Sequence, residues 1–211
     1  MNIVLIGIQG CGKGTLVSGL EEHFDISLIS MGQLLRDEIS TGSDLGKTIK
    51  ETIDRGELVS NDIIADTISK KLHNVDGRGL TIFDGFPRNM EQLKLLNTIT
   101  NVDLVIHLNL SKDVAIERIL NRLTCSECGF ITNKKAVSGD NCPLCCGKLI
   151  TRSDDNLESI NKRFEIYERE TYPLLEKYEK LGVRVETIDS IDKDQTLNAV
   201  LRVLDEYNYQ R

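Results

Sequence analysis

The chain has 211 residues, 40% of them hydrophobic and 28% charged, which is typical of a folded globular protein and not of a collagenous or disordered chain. Its formal net charge of −7 argues against broad binding to nucleic acids or anionic membranes, because both select basic surfaces. No stretch of the sequence resembles a signal peptide or a membrane-spanning segment, so we expect a cytoplasmic protein with one core and insertions.

Short apolar runs, separated by segments long enough for helices, follow one another along the chain. They are rich in Val, Ile and Leu, as buried parallel strands are, and they cover residues 2–8, 26–30, 79–85, 102–110 and 184–189. Helices are predicted over 14–24 and over 157–181, the second with a bend near Pro173. Two segments interrupt the alternation, a helical one from about 31 to 60 and a glycine- and cysteine-bearing one from about 124 to 151. This order predicts an α/β fold with a central parallel five-stranded sheet.

The segment GIQGCGKGT, residues 7–15, lies between the first predicted strand and the first predicted helix. It matches the Gly-x-x-x-x-Gly-Lys part of the P-loop signature. Glycines let successive backbone N–H groups turn inward on an anion, the following helix presents its positive end, and Lys13 supplies a charge for the terminal phosphates. Gly14 takes the place of the usual hydroxyl residue, and Thr15 follows it. The segment therefore predicts a nucleotide-binding loop in a three-layer fold of P-loop NTPase type, in which Cys11 is a small loop residue.

Four of the six cysteines form two Cys-x-x-Cys pairs, Cys125 with Cys128 and Cys142 with Cys145, separated by thirteen residues. This spacing is typical of a tetrahedral thiolate zinc site built from two knuckles. Four thiolates leave no open coordination position, so we expect a structural Zn²⁺, with iron as the alternative that sulfur ligation alone does not separate. Cys146 is an extra thiol that could exchange with the fourth ligand or simply be exposed.

Further motifs extend over essentially the whole chain. They are SMGQLLR at 30–36, GELVSND at 56–62, DGFPRNMEQ at 84–92, ERILNR at 117–122 and TRSDDNLESINKRF at 151–164. Together with Gly-Lys-Gly-Thr in the loop, they make the chain resemble the adenylate kinases. The resemblance implies a core of residues 1–30, 61–121 and 156–211, a monophosphate-binding insertion at 31–60 and a metal-bearing lid at 122–155, in a monomer.

The resemblance also implies a reaction and its residues: reversible phosphoryl transfer from ATP, with Mg²⁺, to AMP, which gives two ADP. ATP would be bound by Gly10, Cys11, Gly12, Lys13, Gly14, Thr15, Arg118 and Arg122, with Arg118 over the base. AMP would be bound by Met31, Arg36, Val59, Gly85, Arg88, Gln92, Arg152 and Arg163, with Gln92 reading the adenine edge. Lys13, Arg88, Arg122, Arg152 and Arg163 would be catalytic, and Asp84 would orient magnesium through its bound waters.

Elementary chemistry explains why such a reaction needs several arginines. Two polyanions must approach each other, and the transferring phosphoryl group must be stabilised without covalent help from the protein. The planar guanidinium group engages phosphate oxygens in two directions and stays charged. Water would compete as the phosphoryl acceptor, which gives two closing flaps a purpose.

The sequence departs from the family pattern at four positions. Met31 replaces a hydroxyl residue, Gln33 and Asn61 replace aspartates, and Gln9 replaces a proline. A methionine can pack on a base without reading it. The departure at Met31 therefore leaves a second hypothesis open, a kinase for another nucleoside monophosphate such as UMP or CMP.

A hypothesis from a different class is a non-catalytic, nucleotide-dependent zinc-ribbon binder. The cysteine segment carries only Lys134, Lys135 and Lys148 with Phe130, too few basic and stacking residues for a nucleic-acid surface. The expected ligands are therefore ATP, AMP and ADP, with no nucleic acid and no membrane. We predict no role for the three histidines, His23, His73 and His107.

Overall fold

The computed structural model describes residues 1–72 and 79–209; His73 lies outside them. In chain order its elements are β1 (Asn2–Ile6), α1 (Lys13–Leu20), β2 (Ile26–Ser30), α2 (Met31–Ser40), α3 (Asp44–Asp54), α4 (Asn61–Leu72), β3 (Leu80–Asp84), α5 (Met90–Ile99), β4 (Leu104–Asn109), α6 (Lys112–Leu120), β5 (Arg122–Cys125), β6 (Ile131–Asn133), β7 (Leu149–Ile150), α7 (Leu157–Ile166), a π-helical turn (Tyr167–Thr171), α8 (Leu174–Lys180), β8 (Arg184–Asp189) and α9 (Lys193–Tyr209). None of the described helices combines the length and the apolar character that crossing a bilayer requires.

The central sheet of the described chain has five parallel strands in the order β2-β3-β1-β4-β8. In the middle of the sheet, Leu5 on β1 lies between Asp84 on β3 and Ile106 on β4. The predicted α/β fold with a parallel five-stranded sheet is confirmed. Because all the strands run the same way, the loops that follow β1, β3 and β4 gather at one edge, where α/β proteins bind their ligands.

Apolar side chains cover both faces of the sheet, which gives the three layers. On one face Ile3, Leu5 and Ile106 pack with Leu16 of α1 and Val200 of α9. On the other face Val4, Phe83 and Val105 pack with Leu96 of α5 and Tyr178 of α8. Neighbouring residues of one strand point to opposite faces, so a strand buried on both sides is a continuous apolar run. Full burial of each Ile, Leu or Phe side chain contributes about 1.5–3 kcal/mol.

The helical segment predicted over 157–181 is helical, and it is interrupted near Pro173 as predicted. The segment does not continue as one helix, because α7 gives way to the π-helical turn Tyr167–Thr171 and α8 begins only after Pro173. Proline lacks the N–H that a continuing helix needs. The carbonyl of Tyr167 instead accepts from the Tyr172 backbone N–H at 2.8 Å, which joins the two parts of the segment.

Two segments contribute no strand to the central sheet. The 31–60 segment holds α2 and α3, as its helical character predicts. The cysteine-bearing segment forms a small antiparallel sheet in the order β6-β5-β7, which no pattern in the sequence predicts. Its strands have only two to four residues, too few for an alternating pattern to be visible.

Candidate active site

The glycine-rich loop connects β1 to α1 at the carboxyl edge of the sheet. Gly10 and Gly12 have φ values of 84° and 95°, a left-handed conformation that side-chain-bearing residues rarely adopt. The Lys13 ammonium crosses the loop and donates to the carbonyl oxygens of Gly7 at 2.8 Å and Ile8 at 3.3 Å. Gly14 and Thr15 at the start of α1 are exposed. The loop thus presents backbone N–H groups and one cation to an anion, as P-loops do.

The far side of this loop is tied to the end of β8. Ser190 Oγ donates to the Cys11 carbonyl at 2.5 Å, and Arg118 Nη2 donates to the Ile191 carbonyl at 2.6 Å. A Cβ placed on Gly12 would lie 3.9 Å from Arg118 Nη1, so Arg118 stands beside the loop. Cys11 itself is fully buried, in agreement with the expectation of a small loop residue.

Arginines from five separate segments lie close enough together for their charges to interact. Arg36 comes from α2, Arg88 from the loop after β3, Arg122 from β5, Arg152 from the loop after β7, and Arg163 from α7. Their charges act on one another: Arg122 and Arg36 on Arg152, and Arg163 and Arg36 on Arg88. The structure therefore gathers five arginines that lie far apart in the sequence.

Two carboxylates hold two of these arginines in place. Arg122 binds Asp155 with two hydrogen bonds, from Nε at 2.9 Å and from Nη2 at 2.5 Å. Arg163 Nη1 lies 2.6 Å from Asp154 Oδ2. Burial raises the pKa of Asp154, but the charge of Arg163 and its hydrogen bond outweigh this effect and leave the pKa lowered. The Asp154 carboxylate is therefore an ionised partner of Arg163 at neutral pH.

The other three arginines make no direct ion pair with any described residue. Arg36 Nη2 donates to Gln33 Oε1, Arg88 Nε to the Gly85 carbonyl and Arg152 Nε to Thr124 Oγ1, each at 3.0 Å. Burial lowers the pKa of all three guanidinium groups, and that of Arg152 to about 9, with the charges of Arg122 and Arg36 adding to the effect. Positive charge is concentrated here without full compensation, which is the electrostatic requirement of a polyanion site.

The residues predicted for the acceptor nucleotide adjoin this group of arginines. Met31 and Val59 are buried in the same apolar cluster as Phe86, and Asp84 ends β3 next to Gly85. A Cβ at Gly85 would lie 3.0 Å from Arg88 Nη2, so a glycine there leaves room for the guanidinium group. Gln92 is only 3% exposed and lies in the first turn of α5, where both ends of its side-chain amide are hydrogen-bonded.

The cysteine-bearing segment lies over the glycine-rich loop. A Cβ on Gly14 would lie 3.6 Å from Ile131 Cδ1 of β6. Ser153 Oγ donates to Asp54 Oδ1 of α3 at 2.7 Å, and Gln9 Nε2 donates to Asp155 Oδ1 at 3.4 Å. The residues that follow the small sheet therefore contact both the 31–60 segment and the glycine-rich loop.

Inside that segment, the sulfur atoms of Cys125, Cys128, Cys142 and Cys145 all lie within 4.8 Å of one another. Pairs such as Cys125 with Cys145 at 3.4 Å and Cys128 with Cys142 at 3.6 Å are close to the spacing of roughly 3.8 Å that tetrahedral Zn–S bonds of about 2.3 Å impose. Backbone N–H groups of Glu127 and Leu144 point at Cys125 and Cys142, each at 3.4 Å. The geometry fits a four-thiolate metal site.

Comparison with known proteins agrees with this arrangement. A family model described as adenylate kinase matches residues 5–183. The adenylate kinase of Thermosipho melanesiensis is 36% identical over 214 residues, covering 97% of this chain and 99% of that protein, and that of Treponema denticola is 39% identical over 209 residues, covering 96% and 98%. The chloroplastic adenylate kinase 1 of Arabidopsis thaliana is 37% identical over 199 residues, covering 87% of this chain and 70% of that protein.

The chain belongs to the adenylate kinase family. The predicted family and the prediction of an enzyme are confirmed, and they favour catalysis over the alternative of a non-catalytic binder. The four-cysteine cluster in turn agrees with the expectation of a family member with a metal-bearing lid.

The chemistry of the cluster also calls for a cation. A hydrogen bond from the Cys128 backbone N–H lowers the pKa of the Cys125 thiol to about 6. At Cys145 the hydrogen bond from Gly147 lowers the pKa, but the Cys128 and Cys125 sulfurs outweigh it and raise the pKa to about 12. Four thiolates so close together repel one another, and a dication removes that repulsion. Cys146 is exposed beside this cluster and is not one of its four members.

Several residues that hold other side chains in place are not predicted by any motif in the sequence. Asp154 and Asp155 directly follow Arg152 and Ser153, and their adjacency to an arginine of the predicted site was the available signal. His107 gave no such signal: its ring nitrogens lie 3.2 Å from Thr187 Oγ1 and 3.0 Å from Tyr167 Oη. Burial, followed by the charge of Lys13, lowers its pKa, so the ring is a neutral core group beneath the loop.

Proposed function

We propose that this adenylate kinase family member transfers the γ-phosphoryl group of ATP to AMP, reversibly, to give two ADP. The observation that carries the proposal is the gathering of Arg36, Arg88, Arg122, Arg152 and Arg163 beside a P-loop, with three of them lacking a direct ion pair among the described residues. Two nucleotides supply the anions that such a pocket needs.

In this proposal the roles divide by position. The loop from Gly10 to Thr15 and the Lys13 ammonium hold the ATP phosphates, and Arg118 lies beside the ATP base. Arg36 and Arg88 hold the AMP phosphate, while Met31, Val59, Gly85 and Gln92 line the acceptor pocket. Arg122, Arg152 and Arg163 neutralise the phosphates between the two nucleotides.

The chemical step needs positioning rather than a covalent intermediate. An oxygen of the AMP phosphate forms a bond to the γ-phosphorus, and the bond from that phosphorus to the bridging oxygen of ADP breaks, so the electron pair leaves with ADP. The charge that spreads over the transferring group is what the guanidinium groups stabilise. Closure of the lid over the loop excludes water, which would otherwise accept the phosphoryl group.

We also propose the two metals. Asp84, at the end of β3 beside the loop, would hold hydrated Mg²⁺ through water, and Mg²⁺ bound with ATP supplies charge neutralisation of the phosphates. Cys125, Cys128, Cys142 and Cys145 would hold Zn²⁺, which cross-links the lid. A thiolate site of this kind suits a reducing compartment, which supports a cytoplasmic location.

Every proposed site residue belongs to one chain, so the site needs no second copy. We therefore propose a monomer that uses ATP, AMP and ADP, without nucleic acid or membrane. Light scattering coupled to gel filtration tests the oligomeric state, and the regions 31–60 and 122–155 are proposed as the two flaps around the core.

The experiment compares two arginines of unlike surroundings. Arg88→Met keeps much of the side-chain volume and removes the charge, and we expect kcat/KM for AMP to fall by at least about a hundredfold, measured as ADP formed from ATP and AMP. The matched control is Arg169→Met, because the Arg169 side chain is 68% exposed and pairs with Glu170. Equal activity of the two variants, both folded, would contradict the proposal.

A further inference from the structure

A chain of side-chain hydrogen bonds runs from the surface to Gln92, the residue proposed to face the acceptor base. Asn61, at the start of α4, donates from Nδ2 to the Glu91 carboxylate. Its Oδ1 accepts from Gln92 Nε2 at 3.0 Å and from Asn89 Nδ2 at 3.2 Å. Gln92 Oε1 in turn accepts from the Arg88 backbone N–H at 2.8 Å.

The direction of this chain is fixed at both ends. A backbone N–H can only donate, so the atom of the Gln92 amide that faces Arg88 must be the oxygen. An ionised carboxylate can only accept, so the atom of Asn61 that faces Glu91 must be the nitrogen. Reversing either amide would set two donors or two acceptors against each other, and Gln92 is almost wholly buried, where such a mismatch destabilises strongly.

We propose that Asn61 is a positioning residue that fixes the orientation of the Gln92 amide and thereby selects acceptor bases with an amino group over bases with an oxo group. The inference rests on the proposed function, because it assigns Gln92 to the AMP base. With Oε1 and Nε2 each using one bond inside the chain, Gln92 keeps one acceptor position and one N–H for a ligand.

That remaining pair matches the pairing edge of adenine, which offers an amino donor next to a ring-nitrogen acceptor. Hypoxanthine, guanine and uracil offer an oxo acceptor next to a ring N–H, which is the reverse pattern. Turning the base over would restore a match, but it would also move the ribose and phosphate away from Arg36 and Arg88. A Gln92 amide that could rotate would accept both classes of base, so the selectivity depends on the hydrogen bond from Gln92 to Asn61.

The pairing edge of cytosine has the same donor and acceptor pattern as that of adenine, so the fixed Gln92 amide selects against UMP but not against CMP. Selection against CMP is left to the size of the pocket. Met31 packs in the apolar cluster and offers no hydrogen bond to a base edge. The hydrogen bond between Asn61 and Gln92 therefore supplies a selectivity among acceptor bases that position 31 does not supply.

The test measures kcat/KM for AMP and for inosine monophosphate with ATP as donor, and expresses selectivity as their ratio. Asn61→Leu removes the three side-chain hydrogen bonds of Asn61 at similar volume. The Gln92 amide then keeps only the bond from the Arg88 backbone N–H, about which its NH2 group can turn away from the base. We therefore expect the ratio to fall by about tenfold or more, with the KM for ATP unchanged. The double variant Asn61→Asp with Glu91→Gln restores the series of hydrogen bonds. The new amide at position 91 donates to the new carboxylate at position 61, and that carboxylate still accepts from Gln92. It should keep the ratio within about threefold of the original.

Melting temperatures of both variants control for folding, and a general loss of structure would lower both rates without changing the ratio. An unchanged ratio in folded Asn61→Leu overturns the inference, as does an equal loss in the restored double variant. A parent enzyme that does not phosphorylate AMP at all would instead overturn the proposed function, which keeps the two failures distinct.

Discussion

The arginine pocket and the cysteine cluster each concentrate groups of one charge, but they compensate that charge differently. In the pocket, Asp154 and Asp155 pair with Arg163 and Arg122, while Arg36, Arg88 and Arg152 make no direct ion pair with a described residue. In the cluster, the four sulfurs lie within 4.8 Å of one another. Backbone N–H groups donate hydrogen bonds to two of them, those of Cys125 and Cys142. Partial neutralisation of the arginine charges by the protein suits a ligand that must dissociate. A sulfur cluster whose negative charge no described cation of the protein neutralises suits a metal that remains bound.

The largest expected effect comes from breaking the cluster. Cys125→Ser removes a thiolate, and we expect zinc affinity to fall by more than about a hundredfold, with a lower melting temperature and loss of activity as the lid loses its cross-link. Metal analysis, thermal unfolding and the kinase assay measure these effects. Cys146→Ser is the control, because it alters the neighbouring thiol and keeps all four ligands. A fully active, metal-free Cys125→Ser variant would contradict the comparison.

Arg152→Gln tests the uncompensated charge of the pocket. Burial lowers the pKa of Arg152 to about 9; between that value and the higher ordinary pKa of arginine, the unfolded chain keeps a proton that the folded chain releases. The free energy of unfolding that Arg152 contributes therefore rises with pH across that window. We expect Arg152→Gln to be more stable than the parent at neutral pH, with lower kcat, and the stability difference to shrink at about pH 10.

Denaturant unfolding of the ligand-free proteins at both pH values measures this difference. A parent protein that is more stable than Arg152→Gln at neutral pH, and whose advantage does not change with pH, would show that the pocket charge is compensated after all. Adding both nucleotides should reverse the order at neutral pH, since their phosphates supply the missing anions.

The smallest effect distinguishes the two knuckles of the cluster. After Cys128 the chain turns through Gly129 with φ 74°, and after Cys145 it turns through Cys146 with φ 62°. A left-handed conformation costs a non-glycine residue about 1–2 kcal/mol, so Cys146→Gly should stabilise the metal-bound lid by about 1 kcal/mol. Gly129→Ala should destabilise it by a similar amount. Hydrogen exchange of the lid amides measures both, and equal protection in the two variants would show that the knuckles carry no such strain.

Much of the framework follows from local patterns. The parallel strands follow from continuous apolar runs, and their observed bounds differ from the predicted ones by at most two residues at each end. The small sheet β6-β5-β7 was not predicted because its strands are too short for an alternating pattern. His107 gave no signal because its partners, Thr187 and Tyr167, are 80 and 60 residues away in the chain.

By itself the sequence determined the glycine-rich loop and the four-cysteine spacing, because both depend on backbone conformations and ligand distances within a few residues. Only the tertiary structure decided which arginines are compensated and which way the Gln92 amide points. Arg122 meets Asp155 across 33 residues, and Gln92 meets Asn61 across 31. Such partners are chosen by how distant elements pack, and buried polar groups then accept only the arrangement that satisfies every donor and acceptor.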